Sequence, residues 1–320
     1  MNTLPIEVLR EIFSRCFEYA PVLKKTCYEW NEIVTNTTDD KPALSLEQMA
    51  KRGHIDLLEH IGKDKIDTKR IPNILRHAAR GGHLNIMILA KEWGATNYDV
   101  ALEYAATNGH IPAMQLLKEW GATNYDDALD NAAEHGRIEA MHLLKEWGSA
   151  KYNFALASAA YRGQISAMNL LKEWGATNYN FACANAARGG QISAMRLLKE
   201  WGANNYDFTL ASAATNGQIS AMHLAKEWGA TTYNWALINA AMNGQITAMH
   251  LAKEWEAAHY DLALFSAAVN GQIPAMQLLK EWGATAYDYA LLYGSHRIEI
   301  LKLLKSWINY EPSPICTDDE

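Results

Sequence analysis

Apolar residues along most of the chain fall into two short blocks that alternate without a break. In the first block Ala128, Leu129, Ala132 and Ala133 recur at helical spacing. In the second, Ile111, Met114 and Leu117 lie three apart, while Ala113, Leu116, Leu117 and Trp120 follow the same face. Gln115, Lys118 and Glu119 are left for solvent, so each block predicts an amphipathic helix. Asp or Asn stands before the first block (Asp99, Asp126, Asn153, Asn180, Asp207, Asn234, Asp261, Asp288), where its side chain would cap the helix. Gly136 and its equivalents stop the first helix, and Gly121 and its equivalents the second. Pro112 and Pro274 fall in the first turn of the second helix, where a missing N–H costs little. No alternating strand pattern occurs, and the prediction is all-α, built from antiparallel helix pairs.

The blocks repeat with a period of 27 residues. Trp93, Trp120, Trp147, Trp174, Trp201, Trp228, Trp255 and Trp282 keep it, as do Met87 to Met276 and Tyr98 to Tyr287. One such pair cannot bury enough apolar area alone, so stacking of neighbours into a solenoid is expected. The Met column reads as core. Trp120 and Tyr125, five residues apart, are expected to close the turn between pairs, so that repetition makes an aromatic ladder. The alternative is an aromatic strip that stacks nucleobases or Pro-rich peptides.

Composition narrows the function. The 320 residues carry 49% apolar and 20% charged side chains, a formal charge of −7 and a pI near 5.9. That balance argues against work done mainly on nucleic-acid phosphates, and the Lys-Glu pair beside each Trp cancels in charge. Cys16, Cys27, Cys183 and Cys316 are scattered and form no CxxC pair, so a disulfide scaffold or Cys-rich zinc site is not expected. No leader pattern and no run of about 18 apolar residues appears. No phosphate-binding loop, nucleophile elbow or HExxH motif occurs. His54, His83 and His110 share one slot of the repeat, and His142, His223 and His250 another, as scaffold residues do rather than catalysts. The expectation is a cytoplasmic, monomeric, non-enzymatic protein with no cofactor, no metal and no membrane or nucleic-acid partner.

Two stretches resemble known families. GHIPAMQLLKEWGA (109–122) and DALDNAAEHG (127–136) resemble the second and first helices of ankyrin repeats. The usual unit is six residues longer, and the shortfall lies where that family places its β-hairpin finger. The resemblance therefore implies an ankyrin-like solenoid with fingers trimmed to tight turns. This short LLKEWGA form is similar to repeats in large DNA viruses of amoebae, which would place the chain in the host cytoplasm. About ten units span 41–308, with degenerate copies at Met49–Gly62 and His296–Trp307. A charged insertion, KDKIDTKR, follows the first copy, and the acidic tail 309–320 is expected to be disordered.

Residues 1–40 do not follow the repeat. LPIEVLREIFSRC, followed by CYEW (27–30), resembles an F-box. That resemblance implies a small helical segment that binds a Skp1-type adaptor of a cullin-based ubiquitin ligase, with Leu4, Pro5, Leu9, Ile12 and Trp30 making the contact. The other reading is a helical cap on a plain ankyrin-repeat scaffold that binds or sequesters a protein. Target recognition is expected where the repeat varies most: Thr107, Asn108, Glu134, His135, Tyr161, Arg162, Arg188, Thr215, Met242 and Val269, near the end of each first helix. Position 103 and its equivalents (Asp130, Ala157, Ala184, Ala211, Ile238, Phe265) vary as well. Unconstrained solvent positions would vary in the same way.

Overall fold

A computed structural model describes residues 45–293 and 297–308, and every regular element among them is helical. α1 (Leu46–Arg52) and α2 (Ile55–Ile61) are followed by two 3-10 turns over the charged insertion, Lys63–Lys65 and Thr68–Arg70. Regular pairs then run α3 (Ile71–Gly81) with α4 (Leu84–Glu92), α5 (Tyr98–Asn108) with α6 (Ile111–Glu119), and α7 (Tyr125–Glu134) with α8 (Ile138–Glu146). They continue as α9 (Tyr152–Arg162) with α10 (Ile165–Glu173), α11 (Tyr179–Arg188) with α12 (Ile192–Glu200), and α13 (Tyr206–Thr215) with α14 (Ile219–Glu227). The last are α15 (Tyr233–Met242) with α16 (Ile246–Glu254), α17 (Tyr260–Asn270) with α18 (Ile273–Glu281), and α19 (Tyr287–Tyr293) with α20 (Ile298–Ile308).

The chain divides into two compact units. Among the described residues, one holds 45–105 with His110–Thr123, the other Ala106–Gly109 with 124–293 and 297–308. Both follow one rule, a helix pair stacked on the next as in a solenoid. In the second unit the first helices α7, α9, α11, α13, α15, α17 and α19 pack side by side, each also against its own second helix. Alanines make this close approach feasible: Ala128, Ala132 and Ala133 and their counterparts are fully buried. Met87 through Met276 form a fully buried column, each such side chain contributing about 1.5–3 kcal/mol of burial. Where Cys183 replaces the usual Leu, the neighbouring α13 carries buried Thr209 in place of Ala. The larger neighbour offsets the lost volume. Burial pushes the Cys183 thiol up against the opposing pull of the neighbouring Thr209 hydroxyl.

Gly136 shows why the first helix ends in glycine. Its φ is 65°, and a Cβ there would lie 2.7 Å from Oε1 of Gln164 in the following repeat. The residue in that slot reaches back across the stack. His83 Nε2 donates to the Lys51 carbonyl at 3.0 Å, and Arg137 Nε to that of Thr107 at 3.0 Å. Thus at His83 and His110 the slot is a bridging position, whereas Nε2 of His54 in the first copy is buried without a hydrogen-bond partner. At the end of the second helix Glu256 takes the glycine's place with φ 69°, the one positive-φ residue other than glycine among the described residues.

Two expectations are corrected. The Asp/Asn column does not cap the first helix. The helix begins at the Tyr itself, and where Asn precedes the Tyr that Asn does the capping: Oδ1 of Asn178 accepts from Phe181 N at 3.2 Å, and that of Asn205 from Phe208 N at 3.1 Å, whereas Lys151, Thr232 and His259 in the same slot make no side-chain cap. Asp207 lies one residue inside, and its Oδ1 reaches the linker of the next repeat, accepting from Thr231 N at 2.7 Å and Thr232 N at 3.0 Å. Asn153, Asn180, Asn234 and Asp261 make the same clamp. Asp126 adds the Ser149 hydroxyl at 2.8 Å. The second correction concerns the rings. Each Tyr meets the Trp that ends its own pair, 22 residues later in Tyr98–Trp120 and Tyr206–Trp228, with centroids 5.6 and 5.4 Å apart, and 20 later in the shortened last pair, Tyr287–Trp307. Stacking brings the start of one helix beside the end of its partner, which proximity along the chain does not report.

Candidate functional site

The half-buried Trp column is already occupied by the chain itself. Beside its Tyr, each of Trp120, Trp174, Trp201, Trp228, Trp255 and Trp282 receives a Lys from the preceding repeat: Lys172 Nζ lies 4.5 Å from the Trp201 centroid, and Lys226 Nζ 4.4 Å from that of Trp255. The Lys charge is thus not simply cancelled by its Glu neighbour in sequence; it alternates with Trp in space. His142, His223 and His250 are exposed, and each meets a Trp of the next repeat edge-on at 5.1–5.4 Å. A cation over the face and an imidazole at the edge leave little room for a stacked base. Among the described residues no group of three His, Cys, Asp or Glu is placed to hold a metal ion. No helix there is long and apolar enough to cross a membrane.

The open surface lies on the first helices. Their third residue points outward and is apolar in almost every repeat. Phe154 is 57% exposed, Phe208 45%, Trp235 61% and Leu262 51%, with Phe181 half-buried between them. Phe154 and Phe181 meet edge-on at 6.2 Å. At one register of successive helices these large apolar side chains form an exposed stripe. Between α11, α13 and α15 this stripe borders a groove of about 550 Å³. Phe181, Phe208 and Trp235 form its rim, with Ala184, Ala211 and Ser212, and Arg188, Thr215, Asn185 and Asn239 complete it. The groove exists because the varied position of the first helix is Ala184 and Ala211 here. The same position holds Ile238 and Phe265 in the next two repeats.

The residues expected to read a target are distributed unevenly. Arg188 and Thr215 line the groove. Glu134 and Arg162 pair with each other at 2.8 Å, while His135 Nδ1 bonds the Asn131 carbonyl. Thr107 gives its carbonyl to Arg137. Asn108, Tyr161 and Met242 are half-buried, and Val269 is exposed. The rim aromatics and the Asn side chains were not anticipated. Their signal was an aromatic at the third helical residue of four successive repeats, a register that faces away from the core. Leu4, Pro5, Leu9, Ile12 and Trp30, with the whole 1–40 segment, lie outside the described residues, as does the 309–320 tail.

Electrostatics differ along this face. Burial pushes the Asp130 carboxyl up to about 7, and Asp127 and Asp126 add to the shift against the opposing pull of Lys151. Its Oδ1 is buried without a hydrogen-bond partner. Burial also pushes Asp207 up, but the N–H groups of Thr231 and Thr232 outweigh it and hold the carboxyl below the usual range.

No protein-family model and no curated protein matches the chain. Among solved structures, the crystal structure of the human ASB11 ankyrin repeat domain aligns over 56% of this chain and 96% of that one. The identity is 22% and the TM-score 0.38. The repeat architecture rests on the helix pairs themselves.

Proposed function

We propose that the chain is a non-enzymatic protein-interaction protein whose first-helix face binds a protein target. The exposed apolar stripe, Phe154, Phe208, Trp235 and Leu262, carries this reading, because the scaffold around it hardly changes between repeats. A uniform core with side chains that vary on one open face suits recognition, and repeat arrays commonly present such faces.

The finer reading is a substrate adaptor. The Leu4-Pro5…Leu9…Ile12…Trp30 pattern, similar to an F-box, would engage a Skp1-type adaptor, and the repeats would present the target to a cullin-based ligase. The style of the repeat supports a viral chain acting in host cytoplasm, as a monomer, with no cofactor, no membrane and no nucleic-acid partner. The test is affinity purification of the full chain, scored for Skp1, cullin and a recurrent third protein. Loss of Skp1 with L4D/W30A and retention of the third protein is the expected result. A target still bound and silenced by a chain lacking residues 1–40, with no Skp1 ever recovered, would instead establish the plain scaffold.

A further inference from the structure

The groove over α11, α13 and α15 has a chemistry more specific than its apolar rim. Its cation, Arg188, is exposed, and its guanidinium has no carboxylate partner among the described residues. One repeat earlier Arg162 is held by Glu134 at 2.8 Å. The carboxylate lining the groove, Asp207, turns one oxygen to the two linker N–H groups and makes no ion pair with Arg188. Asn185 and Asn239 each donate Nδ2 to the carbonyl four residues back, at 2.9 and 2.8 Å. Those bonds fix both amides and leave each Oδ1 as an acceptor for an N–H from outside.

We infer that this groove holds an extended, acidic-apolar segment of the partner protein. A bulky apolar side chain of that segment sits over Ala211 between the Phe208 and Trp235 rings, and a carboxylate pairs with Arg188. The Asn185 and Asn239 oxygens accept backbone N–H groups at either end. Two repeats separate these amides, roughly 20 Å at the spacing of packed helices, and about six extended residues cover that span. The inference rests on the partner-binding reading above and names the chemistry of the segment bound.

The test is selection from a display library of random twelve-residue peptides with the full chain as bait, followed by affinity measurement. The expected peptides share a large apolar residue and an Asp or Glu. R188E should weaken them by about tenfold or more, and a peptide whose acid is changed to Lys should recover on that variant. A211I fills the groove with a side chain that the scaffold already accepts at Ile238, and should abolish binding with thermal unfolding unchanged. Peptides that bind but ignore both A211I and R188E overturn the groove and leave the partner-binding reading standing. Selected peptides without acids, or preferential capture of single-stranded nucleic acid, overturn the stated chemistry. No selected peptide at all overturns the inference. The partner-binding reading fails separately, if the full chain recovers no recurrent protein.

Discussion

Asp207 and Asn234 occupy one slot in successive repeats and use a single oxygen each on the next linker. The clamp needs an acceptor, not a charge. D207N should therefore keep the clamp and lose only what the carboxylate's charge adds, while D207A loses about 1–2 kcal/mol for two orphaned N–H groups; urea unfolding measures both, and D207N should lie between wild type and D207A. Because Asp207 and Asp126 are held below their ordinary value of 3.8, their contribution is present above it and fades as pH falls through the folded value. Asp130 has the opposite sign. Its folded value, about 7, exceeds the ordinary 3.8, so the folded state binds the extra proton between them. Stability should fall as pH rises from about 4 to about 7, and D130N should remove that slope. An unchanged slope in D130N would show that another group is responsible.

At the scale of elements, most helix boundaries were legible in the sequence because glycine, proline and the 27-residue period mark them independently. What failed was partner assignment. Tyr125 stands close to Trp120 along the chain but meets Trp147, since a stack sets neighbours by height rather than by separation. The N-cap was misplaced by two residues because the Asp or Asn after each Tyr is drawn to the N–H groups of the next linker, even where Lys151, Thr232 or His259 before the Tyr makes no side-chain cap. The ladder that results has a measurable share in stability. K226M keeps the apolar stem over Trp255 and removes the charge, and should cost about 0.5–1 kcal/mol. Equal stability of K226M and wild type across salt concentrations would mean that the Lys contributes only its stem.

For the whole molecule, the repetition that made the fold readable also hid the proposed groove. Column statistics expose what is constant, namely Met141, Ala132 and Trp147, whereas recognition depends on what changes. The variable end of the first helix was visible, and Arg188 and Thr215 were found there. The aromatic rim at Phe181, Phe208 and Trp235 was not, because one-dimensional periodicity cannot tell an outward aromatic from a core one without the packing of the next helix. Stability in such an array is a sum of repeats and their interfaces. Removing one whole period, residues 179–205 in the second unit, should leave a folded chain with proportionately less helical signal by circular dichroism. Removing half a period from the same place should unfold the surrounding pairs.

The central claim is that the open face of the first helices, not the Trp ladder, binds the partner. The most direct measurement is quantitative recovery of the recurrent partner from cells that naturally contain the chain, comparing wild type with F208S/W235S. The account predicts recovery reduced by about tenfold or more with the chain still folded and its thermal midpoint only slightly lowered, since Trp235 is 61% and Phe208 45% exposed. Undiminished recovery by a folded F208S/W235S chain would contradict it.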